Sequence, residues 1–285
     1  MMTSSDKLTE VQKLYDNAAT HYDRHNKDTT TNIARIMLLV GPKPDDRSMV
    51  LDNACGTGAL VFSLLRMFEA SEPLTQGFPK IHAVDISPAM IALVDEKSKS
   101  MDLPPGVLQT GIMDSQNLTF SANTFTHSYM NFGIFFLPDA ERGASEIYRT
   151  LRPGGIAFIS AWQSLGYLDL LQSAQKIIRP HDTGENKLRP MYSDEWFTEE
   201  KLRTTLIRGG FREQNIVVHR AQTALVGDDV DGLVETMLLP FGKNIEGWTE
   251  EERVGLRVAM KEELSEDQRR NHSVDMYAFI AVAVK

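Results

Sequence analysis

Two acidic residues separated by a glycine turn carry the most chemistry in this chain. Met49-Val50-Leu51-Asp52 reads as an apolar strand that ends on a carboxylate. Asn53-Ala54-Cys55-Gly56-Thr57-Gly58 follows as a tight turn into a helix near Ala59, and a second apolar run, 81–84, ends on Asp85. This order builds a nucleotide pocket at the carboxyl ends of two parallel strands. A dinucleotide loop would follow G-x-G-x-x-G, with its helix N-terminus facing a pyrophosphate. Here the third glycine position is Val61, and Asp52 would repel a pyrophosphate. S-adenosylmethionine carries a sulfonium and an ammonium and has no phosphate, so the same acid attracts it. Gly56 and Gly58 let the backbone approach a ligand, and Asp85 offers two oxygens to ribose hydroxyls. The residues therefore favour S-adenosylmethionine as cofactor; a ligand-free βα turn is the plain alternative.

The elements that must hold these residues are legible from periodicity. Residues 6–24 form an amphipathic helix with Leu8, Val11, Tyr15, Ala18 and Tyr22 on one face. A second helix, 30–40, stops at Gly41-Pro42. From Ser48 strands and helices alternate, as in a parallel sheet covered on both faces. The strands are expected at 49–53, 81–85, 107–110, 125–131 and 156–161. Helices are expected at 59–68, after Ser87-Pro88, and from Pro138 to the stop at Leu151-Arg152-Pro153-Gly154-Gly155. Beyond strand five the spacing predicts a helix at 168–178, a polar loop at 181–192, a helix at 198–208 and a strand at 215–225. A last strand at 276–284, apolar on both faces, is expected to be central. Between the last two strands lies an insertion with a helix-forming run, 230–239, and a helix capped by the box Thr249–Glu252.

The expected fold is a Rossmann-like seven-stranded mixed sheet, last strand antiparallel, with helices on both faces and a helical cap. Residues 1–45 form an N-terminal helical lid, and 46–285 the main domain. Insertions at 163–192 and 228–270 join the lid in covering the pocket if strand six runs parallel to the first five.

Composition narrows the class. The 285 residues carry a formal net charge of −9, which argues against nucleic acid as substrate. No apolar run nears the ~20 residues that cross a bilayer, and the first residues lack a secretion signal. The single cysteine, Cys55, permits no internal disulfide and suits a reducing cytosol. A small-molecule substrate, with neither nucleic acid nor membrane as partner, and a cytoplasmic location are the expectations.

With these elements in place, the chain resembles the class I S-adenosylmethionine-dependent methyltransferases. The resemblance rests on VLDNACGTG at 50–58, AVDISPAM at 83–90, GIMDSQNLTF at 111–120 and LRPGG at 151–155. LDNACG and the WTEEER helix look closest to small-molecule methyltransferases of fungal secondary metabolism, some acting on thiols of dioxopiperazines. The resemblance implies that Asp52, with the backbone at Ala54 and Gly56, holds the methionine ammonium. Asp85 would bind the ribose, Ile86 and Met113 would pack on adenine, and Asp114 would accept from its amino group. Asn131 and Phe132 would lie beside the methionine moiety, and Tyr15 and Tyr22 match the family's lid tyrosines. Asn53, Thr57, Gly58, Met90 and Ser115 complete the implied cofactor site. Trp162, Gln163, Tyr192 and Met237 are the candidates for substrate contact, and no metal is implied.

Each residue has a plainer reading. Asp114 is a good helix cap, the tyrosines are ordinary core residues, and Trp162 suits an interior. Cys55 reads as a small turn residue, Asp228, Asp229 and Asp231 as acids before a helix, and the seven histidines show no metal spacing. The expected reaction is methyl transfer from S-adenosylmethionine to an oxygen, nitrogen or sulfur of a small, largely apolar metabolite. A hydroxyl acceptor would need a base, for which His127, His181 and Tyr192 are candidates. A dinucleotide oxidoreductase and a methyltransferase-fold cyclase or binding protein are the rival readings.

Overall fold

A computed structural model describes residues 4–26, 28–70 and 77–285. Its centre is a seven-stranded sheet of β1 (Met49–Asn53), β2 (Lys80–Asp85), β3 (Leu108–Ile112), β4 (Phe125–Met130), β5 (Leu151–Leu165), β6 (Ile216–Val226) and β7 (Ser273–Val284). The spatial order is β3-β2-β1-β4-β5-β7-β6. The first five strands are parallel, and β7 runs antiparallel to both β5 and β6. Strand β6 therefore points the same way as the first five. Order reverses between β1 and β4, so a crevice opens there at the strands' carboxyl ends. β7 is interior, as its apolar character predicts, and Ala278–Ala283 is buried throughout.

The helices are α1 (Ser4–Asn26), α2 (Thr29–Met37), α3 (Ala59–Glu69), α4 (Pro88–Ser98), α5 (Ala140–Thr150), α6 (Leu168–Ile178), α7 (Glu199–Arg208), α8 (Val230–Leu238), α9 (Glu250–Glu263) and α10 (Glu266–Asn271). The start signals act as read. Ser87 caps α4 with Pro88 at its first position, and the Thr249–Glu252 box is closed at α9 by reciprocal bonds. Helix α5 starts at Ala140 and not at Pro138, because Asp139 caps it by accepting from the Arg142 N–H.

β5 departs most from expectation, reaching Leu165 instead of stopping near 161. Past Ile159 it loses β4 as a neighbour and pairs with β7 alone, through a bulge between Trp162 and Ser164. Thr223–Val226 of β6 pairs with Met276–Ser273 of β7, so β5 and β6 flank β7 together at Met276. These three strand ends form a ledge carrying a second core. Leu165, Leu225 and Met276 pack there with Leu171 of α6, Met237 of α8 and Met260 of α9. The two insertions are thus one packed unit on the pocket side of the sheet. Trp162 packs against both cores. Among the described residues no helix is long and apolar enough to cross a membrane.

Candidate active site

The loop after β1 bends sharply. Ala54, Gly56 and Gly58 have φ of 58°, 52° and 88°. A side chain at Gly58 would meet the Phe62 ring at 2.6 Å, so the turn into α3 needs glycine there. The loop is tied to β2 by Asp85, whose Oδ2 accepts from the Gly56 N–H at 2.8 Å and Oδ1 from the Ser87 N–H at 2.9 Å. A carboxylate has about four acceptor positions, so Asp85 keeps capacity for ribose hydroxyls. Burial raises its pKa, opposed by those N–H groups, and the like charge of Asp16 adds a smaller upward push.

A cavity opens in front of this loop, with about 600 Å³ of empty space that includes its open mouth. Part of its lining is polar: Gly56, Asp85, Asp114, Ser115 and Asn131. Another part is apolar, formed by Leu8, Val11 and Tyr15 of α1 with Phe132, Phe136 and Leu137. Ala54, Ile86 and Gly133 complete the described lining. Its described charged groups are both acids, which suits a cationic ligand.

Strand β4 leads directly into the lining at Asn131 and Phe132. Phe132 sits in left-handed backbone at φ 58°, an uncommon state for a residue with a side chain. Its N–H donates to Ser160 Oγ at 2.9 Å, and that hydroxyl donates to Asn131 Oδ1 at 2.8 Å. Asn131 Nδ2 in turn donates to the Thr30 carbonyl at the start of α2. So anchored, the Phe132 ring stacks on Trp162 at 3.8 Å. Further rings adjoin: Tyr15 meets Phe136 edge-on at 5.4 Å, and Tyr192 lies 4.4 Å from Phe135.

Several expected site residues lie elsewhere. Asp52 is 1% exposed and not on the cavity wall. Its Oδ2 has no hydrogen-bond partner, and burial pushes its pKa up to about 7. The Val61 N–H opposes that shift and Asp85 adds to it. Asp52 therefore lies behind the described lining, next to the loop that carries Ala54 and Gly56. Asn53 is also buried; its Oδ1 accepts from Ser115 Oγ at 2.8 Å, leaving its Nδ2 unpartnered. Thr57 and Met90 are buried and, like Gly58 and the partly buried Met113, are absent from the lining. The backbone of Tyr22 is helical, but its side chain lies outside the described residues.

The three candidate bases do not reach the cavity wall. His127 sits in β4 beside Val50 of β1, four residues short of Asn131, and burial lowers its pKa. His181 is exposed beyond the end of α6. Tyr192 packs behind Phe135 and Phe136, and burial drives its phenol well above the ordinary value, the wrong direction for a base. Met237 is fully buried in the second core and does not line the cavity. Gln163 lies at the bulge beside Trp162 with a buried, unpartnered Oε1. Phe136, Leu137 and Gly133 were missed in the sequence, where only the apolar run GIFFLP after strand four could have suggested them. Among the described residues no cluster of His, Cys, Asp or Glu could hold a metal ion.

Comparison with known proteins agrees with this geometry. The signature of the ubiE/COQ5 methyltransferase family matches residues 1–174. Methyltransferase ktnA of Aspergillus niger is 24% identical over 81% of this chain and 84% of its own length. Acetylaranotin bis-thiomethyltransferase of Aspergillus terreus is 27% identical over 72% of this chain and 68% of its own. In fold, the chain matches Haemonchus contortus phosphoethanolamine N-methyltransferase 2, solved with phosphomonomethylethanolamine and S-adenosylhomocysteine. That match has a TM-score of 0.55 and 19% identity, over 100% of this chain and 60% of the other. With the family signature spanning lid, glycine loop and the first five strands, the chain belongs to the ubiE/COQ5 methyltransferase family and is an S-adenosylmethionine-dependent methyltransferase.

Proposed function

We propose that this enzyme methylates an oxygen, nitrogen or sulfur of a small, largely apolar metabolite, in secondary metabolism. The observation that carries the reading is a single cavity lined both by acidic and polar residues and by aromatic and apolar ones, Phe132 among them. The acidic part fits the cofactor: Asp85 would hold the ribose, Asp114 and Ile86 the adenine, and Asn131 with the Gly56 backbone the methionine end. The buried carboxyl of Asp52, without a partner on Oδ2, would supply negative potential behind the loop. S-adenosylmethionine supplies an activated methyl on its sulfonium.

The protein's contribution is placement. Alignment of donor and acceptor is worth ~7–11 kcal/mol in favourable cases. Phe132, fixed by Ser160 and stacked on Trp162, would set the acceptor against the donor. The lid at 1–45 and the cap segments 163–192 and 228–270 would exclude water. Gln163 would offer the acceptor a polar contact beside the aromatic lining. The similarity to a bis-thiomethyltransferase supports sulfur among the acceptor atoms.

Incubation with methyl-labelled S-adenosylmethionine and panels of apolar thiols, phenols and amines tests the reading. Labelled product should form with apolar acceptors and with none of the polar controls. Label transferred only to protein or nucleic acid would overturn it.

A further inference from the structure

Helix α1 lines one side of the cavity with Leu8, Val11 and Tyr15, yet its described side chains, residues 6–19, are poorly buried. Of its 23 residues, Ala19 is the only buried one among the described side chains. Elements with few buried contacts open at low cost. Its principal packing neighbour is α4, and a polar anchor joins the two. Asp16 Oδ1 accepts from Ser87 Oγ at 2.5 Å and from the Ala89 N–H at 3.4 Å. A carboxylate at the positive end of α4 is favourably placed, and its hydrogen bonds are charge-assisted.

Ser87 also serves the cofactor site. Its hydroxyl accepts from the Met90 N–H at 3.1 Å, and its own N–H donates to Asp85 Oδ1. Asp85 in turn holds Gly56. One continuous run of hydrogen bonds, Asp16–Ser87–Asp85–Gly56, therefore links the lid to the glycine loop. The lid is tied to the side chain best placed to take the ribose, and not to a remote point of the surface.

We propose that Asp16 is a latch: its contact with Ser87 and the N-terminus of α4 holds α1 closed over the bound cofactor, and its release opens the cavity for cofactor exchange. Asp16 is a positioning residue, because it bonds Ser87 and Ala89 and does not line the cavity. The proposal rests on the cavity being the cofactor site.

Two measurements on the full chain test it, with D16A and D16N beside the unaltered protein. Hydrogen–deuterium exchange of the ligand-free proteins reads lid closure. Stopped-flow release of S-adenosylhomocysteine reads the gate. D16A should raise exchange across residues 4–26, leave α7 and the central strands unchanged, and speed release about tenfold. D16N keeps an acceptor oxygen without its charge and should fall between the two, a graded rescue that loss of general stability would not give. Unchanged exchange in α1 would overturn the latch. So would faster exchange with an unchanged release rate, or a rise spread evenly over the whole chain. If the unaltered protein bound no S-adenosylhomocysteine, the cofactor site would be misplaced, while the exchange data would still judge the latch.

Discussion

The rings of Phe132 and Trp162 lie face to face, 3.8 Å apart and 14° from parallel. The contact joins a loop at the end of β4 to the part of β5 that runs beyond the sheet. It thereby connects the cavity to the second core. Replacing Trp162 should therefore affect acceptor more than donor. W162A is expected to raise KM for an apolar acceptor about tenfold or more and to move the cofactor Kd less than about threefold, with W162F intermediate. Steady-state kinetics alongside calorimetric titration would decide it, and equal losses in both would contradict the assignment.

Asp85 holds two backbone N–H groups and faces the cavity, so it should matter to cofactor affinity above all. D85A leaves both N–H groups unpaired and removes the ribose acceptor. A loss of about 100-fold in S-adenosylmethionine affinity is expected, with a smaller loss for D85N. Calorimetry on folded protein, checked by circular dichroism, is the appropriate measurement.

The Asp52 carboxyl makes the ligand-free protein pH-sensitive. Its pKa lies near 7 when folded and near 3.8 when unfolded. Between those values the native state binds the extra proton, so stability falls as pH rises from about 4 to about 7. The loss over the full interval is on the order of 4 kcal/mol. Asp85, also raised, contributes with the same sign. Urea unfolding from pH 5 to 8 should show the decline, and D52N should flatten it. A cationic cofactor favours the ionised form, so its affinity should increase over the same interval. A stability profile that climbs toward pH 7 would refute this account.

Ser160 links Asn131 to the strained backbone of Phe132. In S160A the Phe132 N–H loses its acceptor and Asn131 its donor. A destabilisation of about 1–3 kcal/mol is expected, with kcat reduced because Phe132 is no longer held. S160T, which keeps the hydroxyl, should retain more activity if the extra methyl fits. Denaturant midpoints and initial rates would separate the two effects.

Met237 offers a check on the second core. M237A should cost about 2–5 kcal/mol and leave the cofactor Kd unchanged. A stable M237A variant with an altered acceptor preference would instead restore Met237 to the substrate site.

Local chemistry carried much of this structure in the sequence. The glycines of the loop, the cap at Ser87 with Pro88 after it, and the box at Thr249 act over a few residues through backbone geometry and short hydrogen bonds. Their outcome does not depend on distant packing, which is why the alternation of strands and helices and the acid–glycine–acid order could be read directly. The stripe Leu8–Val11–Tyr15 was legible for the same reason, as a consequence of helical pitch.

What tertiary structure alone decided concerns residues whose role depends on remote partners. Asp52 lies one residue before the end of β1 and Asp85 ends β2, but sheet packing buries the first behind the loop and leaves the second on the cavity lining. Trp162 and Gln163 belong to a strand extended by its pairing with β7, a chain segment more than a hundred residues away. Asp16 looks unremarkable in sequence and Ser87 reads there only as a helix cap; the two meet only when α1 lies on α4. Side-chain type and spacing specify which groups are available, whereas burial and long-range contact determine which of them face the ligand.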